Sequence, residues 1–206
     1  MSKEKKTLNR LSFAQREEKI LKSASSLFSK NGFKGTTTKA IASHAKINEA
    51  LLFRHFKNKQ AMYTALIKQK LDKWQNQIIP TLESFQNSPI EELLKQLALT
   101  IINEHERDQN LCRIMFFSSL EHHRMGPLFF KQPQPLNNFF ESYLKAKMKS
   151  GEIHRGDAGI MAKTFLSMVF HYVLIKDLFK AESFYGADQE QIINHFIKIF
   201  LNGILS

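Results

Sequence analysis

TTTKAIASHAKINEALLFRHF, residues 36–56, is the stretch on which the reading of this chain turns. Its three threonines bring hydroxyls that can cap a helix. A short helix over about 39–44 is predicted to follow. Ala42 is small where another helix must approach closely. Ala45, Lys46 and Ile47 make a turn, with Ile47 directed inward. Asn48 caps a second short helix whose inward positions are Leu52 and Phe56. A small residue, a turn, an apolar residue and another apolar residue five further on is the packing pattern of a helix-turn-helix. The second helix is then free to enter a major groove. Its outward side chains are Asn48, Glu49, Ala50, Leu51, Arg54 and His55.

The flanks extend the same reading. Upstream, Ile20, Leu21, Ala24, Leu27 and Phe28 recur at helical spacing. Asn31-Gly32 stops that helix, because glycine takes the left-handed conformation cheaply, and Phe33 folds back onto it. Downstream, Asn58 caps a helix carrying Ile67, Leu71, Trp74 and Ile78, with Pro80 marking its end. Pro89 opens a fifth helix, with Glu91 and Glu92 in its first turn. A sixth is expected over about 110–123, a break over 125–135, and a seventh ending at Ser150-Gly151. The segment 157–179 is apolar on more than one side, so it is buried or packs against two partners. The last helix starts at Asp188 with Gln191 three residues on, a capping-box variant. No segment alternates with period two, so the expected fold class is all-α, with about nine helices.

Charge is unevenly placed. The chain of 206 residues carries a formal net charge of +11. Residues 1–80 hold 17 Lys and Arg against 5 Asp and Glu, whereas residues 81–206 hold 13 against 14. The basic half suggests a polyanion, either nucleic acid or an acidic membrane surface. The run 164–175 is interrupted by His171 and flanked by charge, and reads as too short to span a bilayer. The helix around Arg16, Lys19 and Lys22 also carries Glu17 and Glu18, which weakens a membrane-surface reading. With one cysteine, Cys112, no disulfide can form within the chain, and a cytoplasmic setting fits. Cys112 beside Arg113 is either an oxidant sensor or a small core residue. Glu121, His122 and His123 point in different directions on a helix, and no His pair sits at i, i+4, so no metal site or other cofactor is expected. Neither a phosphate-cradling glycine loop nor a nucleophile motif argues for an enzyme. That rival would need Cys112 with a nearby histidine.

Over residues 16–66 the chain resembles the TetR family of bacterial repressors. The resemblance is carried by LFSKNGF (27–33), TTTKAIASHAKI (36–47) and LLFRHFKNKQAM (51–62). It implies a basic arm over 1–12, a DNA-binding helix-turn-helix domain over 13–58, and an effector-binding and dimerisation domain over 59–206, with helix 59–79 as connector. It implies phosphate contacts from Thr36, Thr37 and Lys39, and from Lys59 at the start of the fourth helix, with Thr38 among the DNA-binding residues. Lys46 stands where the family often has glycine, and a positive φ there would cost it some strain. Phe53 replaces the usual tyrosine, so a hydroxyl for phosphate is missing. Arg54 suits guanine, Asn48 adenine and Glu49 a cytosine amine, while Leu51 can meet a thymine methyl. Ala50 and His55 complete the expected DNA-facing set.

The resemblance further implies a homodimer on double-stranded DNA with a palindromic operator, released by a small effector. Phenylalanines concentrated after residue 110 suit an apolar or aromatic molecule. Met115, Phe116, Phe165 and Met168 are the expected effector residues. Leu166, Phe170, Phe196 and Phe200 are expected at the dimer interface, on helices over about 157–180 and 188–203.

Overall fold

The computed structural model describes residues 12–124 and 134–203. Among these residues there are nine α-helices and no strand: α1 (Phe13–Asn31), α2 (Thr38–His44), α3 (Glu49–His55), α4 (Lys59–Glu83), α5 (Ile90–Arg107), α6 (Gln109–Leu120), α7 (Gln134–Ser150), α8 (Ala158–Val173) and α9 (Gln189–Asn202). The expected arm lies outside the described residues except for Ser12, and so does most of the expected break at 125–135.

The chain divides into two compact units, one ending at Leu66 and the other beginning at Ile67. The division falls inside α4 rather than ahead of it, because the first two turns of α4 pack with the N-terminal residues. Met62, Tyr63 and Leu66 are buried. The Tyr63 ring meets Phe28 edge-on at 4.8 Å and Phe33 at 5.0 Å between centroids.

In the first unit, α1 starts on a capping box. Ser12 Oγ accepts from the Gln15 amide, and Gln15 Oε1 accepts from the Ser12 amide. Two orphan donors are thereby satisfied. The helix stops at Gly32, whose φ of 70° favours glycine and whose N–H donates to the Phe28 carbonyl at 3.0 Å. Ile20, Ala24 and Phe28 are fully buried, as the spacing predicts.

The second unit has one continuous core drawn from α4, α5, α7, α8 and α9. Pro80 does not end α4, which runs on to Glu83. The proline leaves one helix carbonyl without its N–H partner. Ile78 and Leu82, both fully buried on either side of it, hold the helix through the defect. The α8 segment continues as a π-turn (Leu174–Leu178), so Ala158–Leu178 forms 21 helical residues and is long and apolar enough to cross a membrane. The helix length agrees with the 157–180 read from sequence, but the run 164–175 that reads as too short to span a bilayer lies inside this longer apolar helix. Phe165, Leu166, Val169, Tyr172 and Val173 are buried in the unit's own core, which accounts for the composition without a bilayer.

His105 on α5 is buried, with its ring edge-on to Phe170 at 5.9 Å. Burial pushes its pKa down to about 4, against a smaller opposing pull from Asp108. The folded chain therefore holds His105 neutral, while the unfolded chain protonates it near 6.5. Stability from this residue is complete above the unfolded value and is lost as pH falls from about 6.5 toward 4. The expected loss is roughly 3 kcal/mol, from about 1.36 kcal/mol per pKa unit. Urea midpoints measured across the range from neutral to mildly acidic pH should fall more steeply for the native chain than for His105→Gln. Equal slopes would contradict this account.

Candidate nucleic-acid interface

The turn between α2 and α3 is built as the sequence implies. Ala42 and Ala45 are buried, and the Ile47 amide donates to the Ala42 carbonyl at 3.0 Å. Lys46 occupies the left-handed region with φ 54°, a conformation that is uncommon outside glycine. Its side chain is exposed. Leu52 and Phe56 point inward and are buried, so the opposite side of α3 faces solvent.

The threonines separate into three roles. Thr36 is buried, and its hydroxyl donates to the Gly32 carbonyl at 2.7 Å and the Leu27 carbonyl at 3.3 Å. It ties the α1 end to the loop and has no surface for a phosphate. Thr37 caps α2 by accepting from the Ala40 amide at 3.1 Å, and remains exposed. Thr38 donates to a Glu49 carboxylate oxygen, linking the first turns of α2 and α3.

Two further residues are committed within the unit. Asn48 Oδ1 accepts from the Leu51 amide at 2.7 Å. Capping occupies that oxygen, which a two-point adenine contact would also need. The Lys59 ammonium donates to the Phe33 and Thr36 carbonyls, each at 2.8 Å, and lies 4.2 Å from the Phe33 ring centroid. It fastens the α1–α2 loop to α4, where the sequence suggested a phosphate clamp.

His55 departs from its expected outward position. Its side chain is 1% exposed and stacks on Phe13 at 4.0 Å, with Nδ1 3.7 Å from the Glu17 carboxylate. Among the described residues Nδ1 makes no hydrogen bond. A seven-residue helix with two buried anchors leaves its last residue beside α1, and a short window could not show this.

Lys39, Lys46, Ala50, Phe53 and Arg54 are exposed, and Leu51 is half-buried. Lys57, just past α3, and His44, at the end of α2, are also exposed. Sequence reasoning passed over both. Their closeness in sequence to the turn was the available signal.

The N-terminal segment matches the model for bacterial regulatory proteins of the tetR family over residues 20–66. Residues 92–203 match the C-terminal domain of AefR-like transcriptional repressors. The chain belongs to the TetR family. As a TetR-family member it is a DNA-binding transcriptional regulator, and the family is not one of enzymes. It is 29% identical over 187 residues to YvkB of Bacillus subtilis (strain 168), described as an uncharacterised HTH-type transcriptional regulator, covering 91% of this chain and 96% of that one. Among solved structures it is similar to one assigned to the TetR-family transcriptional regulators from Mesorhizobium loti MAFF303099. There the TM-score is 0.73 at 16% identity, over 94% of this chain and 98% of the other. It is also similar to AibR, solved in complex with isovaleryl coenzyme A and operator DNA. That pair has a TM-score of 0.66 at 22% identity, over 89% and 97%.

In the second unit of this TetR-family chain, the expected interface and effector residues separate. Leu166 and Phe200 are buried, and Phe165 is fully buried with Phe140 at 5.9 Å and Phe200 at 5.2 Å. They fill the core of their own unit. Phe170 and Phe196 are half-buried, and Phe196 and Met168 line a groove of about 580 Å³ along α8. Met115 and Phe116 are half-buried on α6. A helix apolar nearly all round does not reveal which stripe faces inward, hence the difference. Cys112 is buried, and its thiol is pushed up to about 11 by burial, then by Asp177, against a smaller downward pull from Arg113. That disfavours a reactive thiolate.

Proposed function

We propose that this TetR-family chain is a dimeric, sequence-specific repressor that leaves a palindromic operator when a small apolar or aromatic effector binds. The observation that carries the DNA-reading part is exposed Arg54 on the solvent-facing side of α3, with Lys39 on α2, Lys46 in the turn and Lys57 just past α3 also exposed. Arg54 is the guanine reader, because its planar fork suits the guanine O6 and N7 acceptors. Thr37, Lys39, Lys46 and Lys57 position the unit on the backbone. Thr36, Lys59 and His55 act by shaping the unit.

For the dimer, the support is exposed apolar surface on the last elements. Ile160 on α8, Ile199 on α9, and Phe179 and Phe184 between those helices are each about 60% exposed. Where such side chains are contiguous they mark an interaction site, and two-fold pairing matches a palindrome. For the effector, Met115, Phe116 and Met168 are the side chains with free surface, and Phe165 contributes through the core it fills. The complex of AibR with isovaleryl coenzyme A supports a small acyl-type ligand by analogy alone. The chain is expected to work in the cytoplasm.

The test is equilibrium binding to duplexes selected from a random pool, with the stoichiometry read by sedimentation. A dimer on a two-fold site is expected, with affinity falling steeply as salt rises. A monomeric complex, or a flat salt response, would sink the proposal. Lys39→Ala should weaken all sequences alike. It should also make the fall of log K with log salt shallower by about 1, because one phosphate is no longer neutralised. An unchanged slope would remove Lys39 from the backbone contacts.

A further inference from the structure

We infer that thymine methyl groups are the main base feature read alongside the Arg54 contact, and that Phe53 is the residue that reads them. The inference rests on the DNA-binding reading above and deepens it to base specificity.

The polar readers of the α3 region are mostly spent inside the unit. Asn48 Oδ1 is held by the Leu51 amide, and the Glu49 carboxylate accepts from Thr38. The His55 side chain is 1% exposed against Phe13 and α1. Arg54 is the remaining polar side chain of α3 with freedom to meet a base edge.

What the outward face presents otherwise is apolar. Phe53 is 46% exposed, although it is a large hydrophobic residue on a helix with a buried side available. Leu52 and Phe56 occupy that side. Ala50 lies three residues earlier on the same helix and is also exposed. Residues three apart are neighbours on a helix surface, so Ala50 and Phe53 form a short apolar strip beside Arg54. A phenyl ring has no hydroxyl to give a phosphate and no acceptor for a base amine. In the major groove, the apolar feature of a base edge is the C5 methyl of thymine. An apolar strip next to a guanidinium therefore fits one or two thymines next to a guanine in each half-site.

Replacing thymine by deoxyuridine removes that methyl and leaves every hydrogen-bonding group in place. The experiment uses the full chain and the duplex recovered by selection, with uridine placed at each thymine in turn. Binding of the native chain, Phe53→Ala and Phe53→Tyr is compared. At one or two positions per half-site the native chain should lose affinity about fourfold per methyl removed, from the transfer free energy of one carbon. Phe53→Tyr keeps the ring and should keep this sensitivity. Phe53→Ala should bind the parent duplex more weakly and respond little to uridine at those positions. A flat uridine scan with specific binding intact would overturn this inference alone, as would equal losses for the native chain and Phe53→Ala. Recovery of no preferred sequence would overturn the DNA-reading proposal as well.

Discussion

Arg54→Ala should cost this protein most of its preference for its operator over random duplex. A two-point arginine–guanine contact is worth about 1–3 kcal/mol of discrimination. A dimer uses it twice, so the expected loss is roughly 2–6 kcal/mol, which lowers the affinity ratio by about thirtyfold or more. The side chain is exposed in the last turn of α3 and makes no hydrogen bond or ion pair among the described residues. Removing it should leave the fold intact. Binding to random duplex should change little, because Lys39, Lys46 and Lys57 remain exposed. Fluorescence anisotropy on matched operator and scrambled duplexes checks this. Arg54→Lys separates charge from geometry, because a point charge cannot form the planar two-point contact. Parallel losses on both duplexes would make Arg54 a backbone residue.

Phe28→Ala should unfold the first unit under conditions where the second remains folded. Phe28 is fully buried, its ring edge-on to Tyr63 at 4.8 Å and stacked near Phe33 at 5.9 Å. Truncating a buried phenylalanine costs about 3–5 kcal/mol, because the cavity is only partly refilled. A unit ending at Leu66 is small, and small units bury proportionately less surface. A loss of that size consumes most of the stability such a unit has. The sole tryptophan, Trp74, lies in the core of the second unit, so its emission reports that unit. Operator binding should disappear at room temperature while the Trp74 transition in urea stays cooperative. An unshifted binding curve would mean that the first unit tolerates the cavity.

Much of this was legible in the sequence because helices advertise themselves by period. Spacing and backbone chemistry alone place Phe28, Leu52 and Phe56 inward and make Gly32 a stop. Side-chain oxygens and nitrogens are harder to place. Whether Thr36 meets a phosphate or the Gly32 carbonyl depends on a loop whose path no short window contains. Lys59 reaches back 23 residues to the Thr36 carbonyl. A positive charge near a loop of threonines looks the same in sequence whether it faces DNA or the chain itself. The same ambiguity hid His55 against Phe13. In the second unit, the apolar excess on α8 is plain from composition, but its division between core and surface is not. Leu166 went inward while Ile160 stayed out. Pro80 shows the converse, a strong local stop overruled by two buried neighbours.

The Lys59 clamp has a chemical consequence. Amine acylation needs a neutral nitrogen that a reagent can reach. The Lys59 ammonium is held between two carbonyls at 2.8 Å and is half-buried, while Lys57 two residues earlier is exposed. Brief treatment with an acylating reagent should mark Lys57 and spare Lys59. The ratio of the two modified forms in mass spectra is then a gauge, internal to one peptide, of how much of the protein in a living cell has its reading head assembled.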